Sequence, residues 1–306
     1  MPLRDIVKEL MVKYGCFQDL EAPKLSVFGE PLIYFVGVEN FLDDKGKFRE
    51  FGNNDQAIIG HAVQIMKSNF NYRLIIHILA ERVNALFPPD AGVRTISGGE
   101  TRDWLFSGPV AHLLKVPHIS VFKDGRVEYR TSSSEDKEGQ FKSGTLIQTR
   151  NPLSVYDIHI ADVMNFGASA HDSRYTPQKG WINELRRNGI TINDFIVVAD
   201  RQQGGKEKLA EVGVNLHSLV EIDQDFIALV SEQPEIALAY LRDWKKWNKD
   251  YLLKHGTIAF LDEFAPERGV RGANFLKQYR EFLQQHPSIM RELEAPLREK
   301  YDIQIK

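Results

Sequence analysis

The sequence is poor in three features, and each absence excludes a class of protein. Its 306 residues include one cysteine, Cys16, which excludes an intrachain disulfide and a cysteine-rich zinc site. No run approaches the roughly 18 uncharged apolar residues that a membrane helix needs. The formal net charge is −3, so no basic excess favours binding to nucleic acid. We therefore expect a cytoplasmic protein with no membrane segment and no nucleic-acid partner.

The composition is otherwise typical of a globular protein with a sizeable core. Hydrophobic residues make up 42% of the chain and charged residues 26%. The length suits one large domain or two modest ones. By pattern the chain divides into three segments. Residues 1–90 are predicted to form N-terminal helices and a small hood of strands, residues 91–232 an α/β core, and residues 233–306 a helical C-terminal extension.

The order of apolar and helical segments predicts the fold class. Between residues 94 and 222, patterns typical of strand, helix, hairpin, loop, strand, helix, strand, helix and strand follow one another. This order predicts an α/β fold with a mostly parallel, twisted sheet and helices on both faces. Beyond the sheet, helical periodicity over residues 235–251 predicts one continuous helix.

The stretch IHIADVMNFGAS, residues 158–169, joins an apolar strand to an acid and a turn of small residues. The acid is Asp162, and the turn covers residues 165–169. A strand, a tight turn and a helix together can bind phosphate, because the N–H groups of the turn point at the anion. The acid could face a sugar hydroxyl or a hydrated metal ion. The alternative is an ordinary connection between a strand and a helix.

A second strand-to-helix loop, SGGETRDW, combines two glycines with a cation. Gly98 and Gly99 allow the backbone to approach a ligand closely. Arg102 offers a bidentate guanidinium to an anion, and Thr101 and Asp103 are candidate caps of the following helix. The alternative is an arginine on a solvated helix start.

Two other segments carry candidate ligand contacts. Lys123 and Arg126 flank the Asp-Gly turn of a predicted hairpin, and a polar loop is predicted to follow at residues 131–141. Tyr34 and Phe35, in a segment rich in β-branched and aromatic residues, could stack on a planar ligand. The alternative is that both are core aromatics of a strand.

The apolar strand DFIVVAD leads into a third loop, RQQGG, which begins with Arg201. In parallel sheets, ligands lie beyond the carboxyl ends of the strands. We therefore expect the loops that contain Arg102, Asp162 and Arg201 to converge on one site.

These motifs, in this order, resemble those of type I phosphoribosyltransferases, and within that family those of orotate phosphoribosyltransferase. The resemblance covers residues 25–247 and is most specific in FIVVADRQQGG, in IHIADVMNFGAS and in the segment that begins HSLVEIDQDF. It implies transfer of ribose 5-phosphate from 5-phosphoribosyl-1-diphosphate to orotate or a similar base, with release of diphosphate. It also implies Mg²⁺ as cofactor and a homodimer.

The resemblance also implies roles for the candidate residues. The catalytic residues would be Asp162, Lys123 and Arg126. Asp162 would face the ribose, and Mg²⁺ would be bound through the diphosphate and through water on Asp162, with no certain protein ligand. The substrate contacts would be Gly98, Gly99 and Arg102 at the diphosphate, Asn165, Phe166, Gly167, Ala168 and Ser169 at the 5′-phosphate, and Tyr34, Phe35 and Arg201 at the base.

The chain departs from the family pattern at several positions, among them Thr101, Asn165 and the missing His-Gly after Arg126, and two departures bear directly on the chemistry. Ala161 stands where the family has the first of two acids, and Phe166 places a bulky ring in the phosphate-binding turn. Loss of one carboxylate reduces the stabilisation of a cationic ribosyl transition state. A second hypothesis therefore stays open, namely a non-catalytic regulatory protein that binds a nucleotide or 5-phosphoribosyl-1-diphosphate.

Overall fold

The structure, a computed structural model, describes residues 2–44, 46–88, 93–132, 141–144, 155–171 and 180–303. The chain divides into two compact units. The first comprises Met1–Cys16 and Val36–Asp223, and the second Phe17–Phe35 and Gln224–Lys306. This division differs from the predicted boundaries after residues 90 and 232, because the hood strands belong to the same unit as the C-terminal helices.

The elements are numbered in chain order. The strands are β1 (Phe17–Leu25), β2 (Pro31–Val36), β3 (Val93–Gly99), β4 (His118–Val121), β5 (Val127–Ser132), β6 (Phe141–Gly144), β7 (Val155–Met164), β8 (Ile190–Asp200) and β9 (Asn215–Glu221). The α-helices are α1 (Leu3–Lys13), α2 (Asp55–Ser68), α3 (Phe70–Leu86), α4 (Trp104–Leu114), α5 (Trp181–Arg187), α6 (Gly205–Ala210), α7 (Gln224–Val230), α8 (Pro234–Arg242), α9 (Trp244–His255), α10 (Arg271–Gln278), α11 (Arg280–Gln285) and α12 (Pro287–Tyr301).

The first unit contains the main sheet. Within the described residues its strands lie in the order β6-β5-β4-β3-β7-β8-β9. The strands β4, β3, β7, β8 and β9 pair with their neighbours in parallel. The strands β4, β5 and β6 pair antiparallel, as the hairpin prediction requires. These pairings confirm the predicted α/β fold with a mostly parallel sheet.

Helices cover both faces of this sheet. Helix α4 packs against β3 and β7, and α5 packs against β4 and β8. The end of β3 shows the alternation, since a side chain at Gly98 would meet Trp104 of α4 and one at Gly99 would meet Trp181 of α5. Because successive residues of a strand point to opposite faces, α4 and α5 lie on opposite faces of the sheet.

The apolar cluster that packs against α5 explains why an apolar residue, Ala161, precedes Asp162 in β7. Ala161 is 5% exposed and belongs to a buried cluster with Met164, Trp181 and Phe195. Ala161 therefore points into the core of the first unit. Asp162, as its neighbour along β7, points to the other face.

A buried ion pair joins α2 to the antiparallel part of the sheet. Two nitrogens of Arg130, on β5, donate to the carboxylate of Asp55 at 3.0 Å each. The hydroxyl of Ser120 donates to the same carboxylate at 2.5 Å. Arg130 is 6% exposed and Asp55 3%. Because a buried charge without a partner is costly, removing one member of this pair should destabilise the unit.

The second unit combines the strand pair of β1 and β2 with the C-terminal helices. Tyr34 stacks on Phe17 at 4.8 Å and meets Tyr240 edge-on at 5.6 Å. A further apolar cluster forms around Phe260 and Phe275. Phe17 of β1 and Tyr34 of β2 therefore contribute to the core of this unit.

The continuous helix predicted for residues 235–251 is wrong. Helix α8 ends at Arg242 and α9 begins at Trp244. Between them Asp243 is extended, with a φ of −156°, and its side chain accepts the N–H of Lys246 at 2.9 Å. The interruption has a local cause, because an aspartate side chain competes with the helix backbone for N–H groups and favours a cap.

Three other expectations concern single features of the chain. Cys16 is buried at 1% exposure, and burial raises the pKa of its thiol. Most of the polar loop predicted at 131–141 lies outside the described residues, while its two ends belong to β5 and β6. Among the helices that the structure describes, none is both long and apolar enough to cross a bilayer.

Replacing Arg130 by methionine tests the buried ion pair. Arg130→Met leaves the carboxylate of Asp55 buried without its cation, so we expect the free energy of unfolding to fall by about 3–5 kcal/mol. Equilibrium denaturation by urea, followed by circular dichroism, measures this change.

Arg126→Met is the matched control, because Arg126 pairs with Asp124 and Glu128 on the surface of the same hairpin. Exposed ion pairs contribute little to stability, so the control should unfold as the wild type does. Equal stability of Arg130→Met and the control would contradict a stabilising role of the buried pair.

Candidate functional site

The candidate site lies at the carboxyl ends of β3, β7 and β8, where β7 is flanked by β3 and β8. The loop after β3 contacts the end of β7, because the N–H of Asp162 donates to Oδ1 of Asp103 at 3.0 Å. The start of the loop after β8 also contacts it, because the N–H of Arg201 donates to the carbonyl of Met164 at 2.9 Å. The three loops named from the sequence thus meet at one edge of the sheet.

An ion pair between Arg102 and Asp162 lies at the centre of this site. The Nε atom of Arg102 is 2.9 Å from Oδ2 of Asp162, and Nη1 donates to Oε1 of Glu39 at 3.3 Å. Glu39 is 4% exposed and also pairs with Arg49 at 3.4 Å. The carboxylate of Asp162 raises the pKa of Arg102, so its charge is permanent. The side chain of Arg102 is still 39% exposed and can reach an anion from outside.

Two carboxyl groups titrate unusually high in this site. Burial raises the pKa of Asp162 to about 6, against the opposing effect of Arg102. Burial likewise raises the pKa of Asp103 to about 6, against the N–H of Asp162 that it accepts. Because both folded-state values exceed the unfolded ones, these groups stabilise the fold less as the pH rises from about 4 to about 6.

The predicted capping role of Asp103 is wrong. Asp103 lies at the N-cap position of α4, but its side chain makes no cap hydrogen bond there. Its Oδ2 instead accepts the N–H of Gly99 at 3.2 Å, while Oδ1 accepts that of Asp162. The buried N–H groups of Gly99 and Asp162, on two neighbouring strands, thus bind this carboxyl in place of the first N–H groups of α4. Asp103 thereby fastens the loop after β3 to the end of β7.

Packing explains the two glycines at the end of β3. A β-carbon at Gly98 would lie 2.1 Å from Oγ of Ser107, and one at Gly99 would lie 2.3 Å from the indole of Trp181. Side chains at these positions would have to displace α4 or α5. The glycines therefore allow α4 and α5 to pack closely against the end of β3. The sequence had suggested that they allow the backbone to approach a ligand.

The turn after β7 offers donors for an anion. Gly167 has a φ of +74°, a left-handed conformation that suits glycine. Within the described residues, the N–H groups of Gly167, Ala168 and Ser169 donate to no protein acceptor. Phe166 is only 9% exposed, so little of this residue faces solvent beside the turn.

The helix after this turn does not add its N-terminus to the site. The N–H of Trp181 donates to the carbonyl of Ser169 at 3.1 Å, and that of Ile182 to the carbonyl of Ala170 at 3.2 Å. The first donors of α5 are thus already bound. Residues 172–179, between the turn and α5, lie outside the described part of the chain.

The two hairpin cations differ in their surroundings. The N–H of Lys123 donates to Glu100 at 3.0 Å, and Nζ of Lys123 lies 3.9 Å from the same carboxylate. Since Glu100 belongs to the loop that carries Arg102, Lys123 is held beside the site. Arg126 pairs with two carboxylates within its own hairpin at 2.8 Å each.

The residues assigned to the base are mostly buried. Tyr34 is 0% exposed in the core of the second unit, so the expected stacking on a ligand is corrected to the alternative, a core aromatic of a strand. Phe35 follows it in β2 and is 39% exposed, because successive residues of a strand alternate between faces. Arg201, in the first unit, is 3% exposed at the end of β8.

The residues of the site do not fit a Mg²⁺ ion held by protein ligands. Mg²⁺ requires oxygen ligands in near-octahedral geometry. Asp162 is already paired with Arg102, and Ala161 contributes no ligand. Within the described residues, no group of three or more His, Cys, Asp and Glu side chains could hold a metal ion.

Sequence reasoning missed a line of polar groups inside the sheet. Ser97 lies 2.5 Å from Asp157 and 2.7 Å from Nδ1 of His159, and Nε2 of His159 lies 3.7 Å from Asp103. The available signal was the alternation of Asp157 and His159 within the otherwise apolar strand YDIHIAD. Glu39 was also missed, because its contact with the site is tertiary and leaves no local pattern.

Comparison with solved structures finds related folds, whereas no protein-family model matches the chain. The fold is similar to that of orotate phosphoribosyltransferase from Aeropyrum pernix, with 17% identity, 73% of this chain and 98% of that chain covered, and a TM-score of 0.46. It is also similar to adenine phosphoribosyl transferase from Trypanosoma brucei, with 14% identity, coverage of 76% and 84%, and a TM-score of 0.43. Because both scores are low, the family assignment rests on sequence relatives.

Two such relatives each match part of the chain. The chain is 31% identical to adenine phosphoribosyltransferase of Pectobacterium atrosepticum over 153 residues. This alignment covers 49% of this chain and 75% of that enzyme. It is 30% identical to orotate phosphoribosyltransferase of Halobacterium salinarum over 105 residues. This alignment covers 34% of this chain and 48% of that enzyme. With 31% identity across three quarters of the first enzyme, the chain belongs to the type I phosphoribosyltransferase family.

Proposed function

We propose that the chain transfers ribose 5-phosphate from 5-phosphoribosyl-1-diphosphate to a nitrogen base and releases diphosphate. The observation that carries the proposal is the ion pair of Arg102 and Asp162 where three strand-end loops meet. It joins a permanent cation and a carboxylate beside a turn that offers N–H donors. The relatives named adenine and orotate phosphoribosyltransferase support the reaction class.

The charges of the site suit this reaction. The ribose C1′ gains positive charge as its bond to diphosphate breaks, and the carboxylate of Asp162 would stabilise that charge. Arg102 would turn from Asp162 towards the departing diphosphate, and the 65% exposed Lys123 would assist it. Positioning and electrostatics would supply most of the rate.

The turn at residues 165–169 would bind the 5′-phosphate. The N–H groups of Gly167, Ala168 and Ser169 are its donors, and backbone donors of this kind bind phosphate well. Oδ1 of Asn165 is buried and has no hydrogen-bond partner within the described residues. It could accept a hydrogen bond from a ribose hydroxyl.

The base, the metal and the oligomer are the finer parts of the proposal. The resemblance favours orotate, while several sequence relatives are named for adenine, so we propose one of these two bases. Mg²⁺ enters as the ion bound by diphosphate oxygens of the substrate, and no residue of the chain is assigned as its ligand. The homodimer implied by the resemblance stays a prediction.

A second candidate function is binding without turnover. The observation that favours it is the burial of Ala161 among Met164, Trp181 and Phe195, because an acid at this position would be buried in apolar surroundings. In this case the protein would bind 5-phosphoribosyl-1-diphosphate or a nucleotide and regulate a partner.

A turnover assay distinguishes these two functions. We expect the protein, with Mg²⁺ and 5-phosphoribosyl-1-diphosphate, to convert adenine or orotate to its nucleotide and to release diphosphate, as detected by chromatography. Asp162→Asn should lower kcat by about 10²-fold, as loss of one group that stabilises transition-state charge commonly does. Calorimetric binding of 5-phosphoribosyl-1-diphosphate with no nucleotide from any base of a panel would support the second candidate.

Substituting Arg102 tests its role at the diphosphate. We expect Arg102→Gln to weaken binding of 5-phosphoribosyl-1-diphosphate by about tenfold or more, because hydrogen bonds to charged groups contribute about 1.5–3 kcal/mol. Arg94→Gln is the control, since it removes the same charge near the opposite end of β3. Isothermal titration calorimetry on variants whose folding is verified by thermal melting measures both, and equal affinities for the two variants would refute the assignment.

A pair of glycine substitutions tests the turn. Gly167 and Gly213 have positive φ angles of 74° and 70°, so alanine at either position should cost about 1 kcal/mol of stability. We expect Gly167→Ala alone to weaken binding of ribose 5-phosphate, by about tenfold, because it moves the N–H donors. If both variants bind ribose 5-phosphate as the wild type does, the 5′-phosphate binds elsewhere.

A further inference from the structure

A line of buried polar groups runs from the interior of the sheet to the candidate site. Asp157, at 0% exposure, accepts the hydroxyl of Thr95 at 2.8 Å, and a second carboxyl oxygen lies 2.5 Å from Oγ of Ser97. Oγ of Ser97 is 2.7 Å from Nδ1 of His159, which is also fully buried. Within the described residues Nε2 of His159 has no hydrogen-bond partner, and it faces Oδ2 of Asp103 at 3.7 Å.

We propose a proton relay, called the line below, that supplies a proton to the site when Arg102 binds an anion. Its members, in order, are Asp157, Ser97, His159 and Asp103. The first three residues have no part in the reaction proposed above. The inference rests on the proposed function for the identity of the anion, which is diphosphate. The line itself is a property of the folded chain.

The need for a proton follows from the position of Arg102. When its guanidinium turns to an anion, the buried carboxyls of Asp103 and Asp162 are left side by side without their cation. Two like charges in a buried site cannot both stay ionised, so one carboxyl takes up a proton. Since Asp103 is 8% exposed and Asp162 6%, an internal source can reach this pair more directly than water.

The line has two hydrogen-bonded arrangements with the same number of protons. In the first, Asp157 donates to Ser97, Ser97 donates to Nδ1 of His159, and Nε2–H of His159 donates to the carboxylate of Asp103. In the second, every donor becomes an acceptor. Passing from the first to the second breaks three O–H or N–H bonds and forms three, and it moves one positive charge from Asp157 to Asp103.

The surroundings of each group suit this exchange. Burial lowers the pKa of His159 to about 3, so its imidazole is neutral and carries one proton. Burial raises the pKa of Asp157 to about 7, so it can hold a proton near neutral pH. When Asp157 gives up this proton, the hydroxyl of Thr95 remains as a donor to its anion. The ring of His159 packs on Phe195 at 4.5 Å, which holds it in line.

The contact between His159 and Asp103 is the long step of the line. At 3.7 Å it exceeds a good hydrogen bond by about 0.5 Å. Catalytic hydrogen bonds are often this long in the absence of ligand and tighten when it binds. Asp103 faces Arg102 from its own loop and Asp162 and His159 from β7, so a movement of Arg102 acts directly on this contact.

Nitrogen-15 NMR of the imidazole of His159 tests the line, with inorganic diphosphate titrated into the full-length protein. In the wild type we expect diphosphate to move the Nδ1 resonance from the range of an unprotonated nitrogen to that of a protonated one. Ser97→Ala removes the middle of the line, so the resonance should stay unchanged. The affinity of the Ser97→Ala variant for diphosphate should fall roughly tenfold, which corresponds to a shift of one pKa unit.

Thr95→Val is the matched control, because it removes an equally buried hydroxyl from the same carboxylate outside the line. It should keep the change at His159 and lower the affinity for diphosphate less than Ser97→Ala does. Asp157→Asn is a second variant that keeps both contacts of the side chain but has no proton to give, so it should abolish the change. It protects the test against a folding defect of Ser97→Ala.

The outcomes separate the line from the proposed function. Diphosphate binding to the wild type with no change at His159 overturns the line alone. Equal behaviour of Ser97→Ala and Thr95→Val also overturns it, because a merely structural role of the buried hydroxyls predicts that result. Absence of any diphosphate binding to the wild type overturns both the line and the proposed function.

Discussion

The ion pair between Arg102 and Asp162 is the interaction on which the candidate site depends. It connects the loop after β3 to the end of β7, and its cation opposes the rise that burial causes in the pKa of Asp162. In the proposed reaction, the same guanidinium would bind the incoming diphosphate. Under that proposal, ligand binding would exchange one partner of Arg102 for another, beside the neighbouring carboxyls of Asp103 and Glu39.

The fold could be predicted from the sequence because its signals are local. The apolar run of β8 indicates a strand buried on both faces, and the Asp-Gly turn before β5 indicates a hairpin. The break between α8 and α9 could not be predicted from periodicity alone. Apolar spacing continues across Asp243, while the choice between a helix interior and a cap depends on which N–H group its side chain reaches.

The site could be predicted only in part, because its residues act through tertiary partners. Arg102 and Asp162 were named for their charge, but nothing local indicates that they pair with each other. Asp103 has the sequence context of a helix cap, yet neighbouring strands offer its carboxyl buried donors instead. Tyr34 illustrates a different error. An aromatic side chain suits a ligand pocket, but the position of Tyr34 in its strand directs the side chain into a buried core.

A crystal structure with ribose 5-phosphate and diphosphate bound tests the central claim most directly. The account predicts the 5′-phosphate on the N–H groups of residues 167–169 and the diphosphate on Arg102. It also predicts that the guanidinium will have moved out of ion-pair distance from Asp162. Both ligands bound elsewhere, with the pair of Arg102 and Asp162 intact at 2.9 Å, would contradict it.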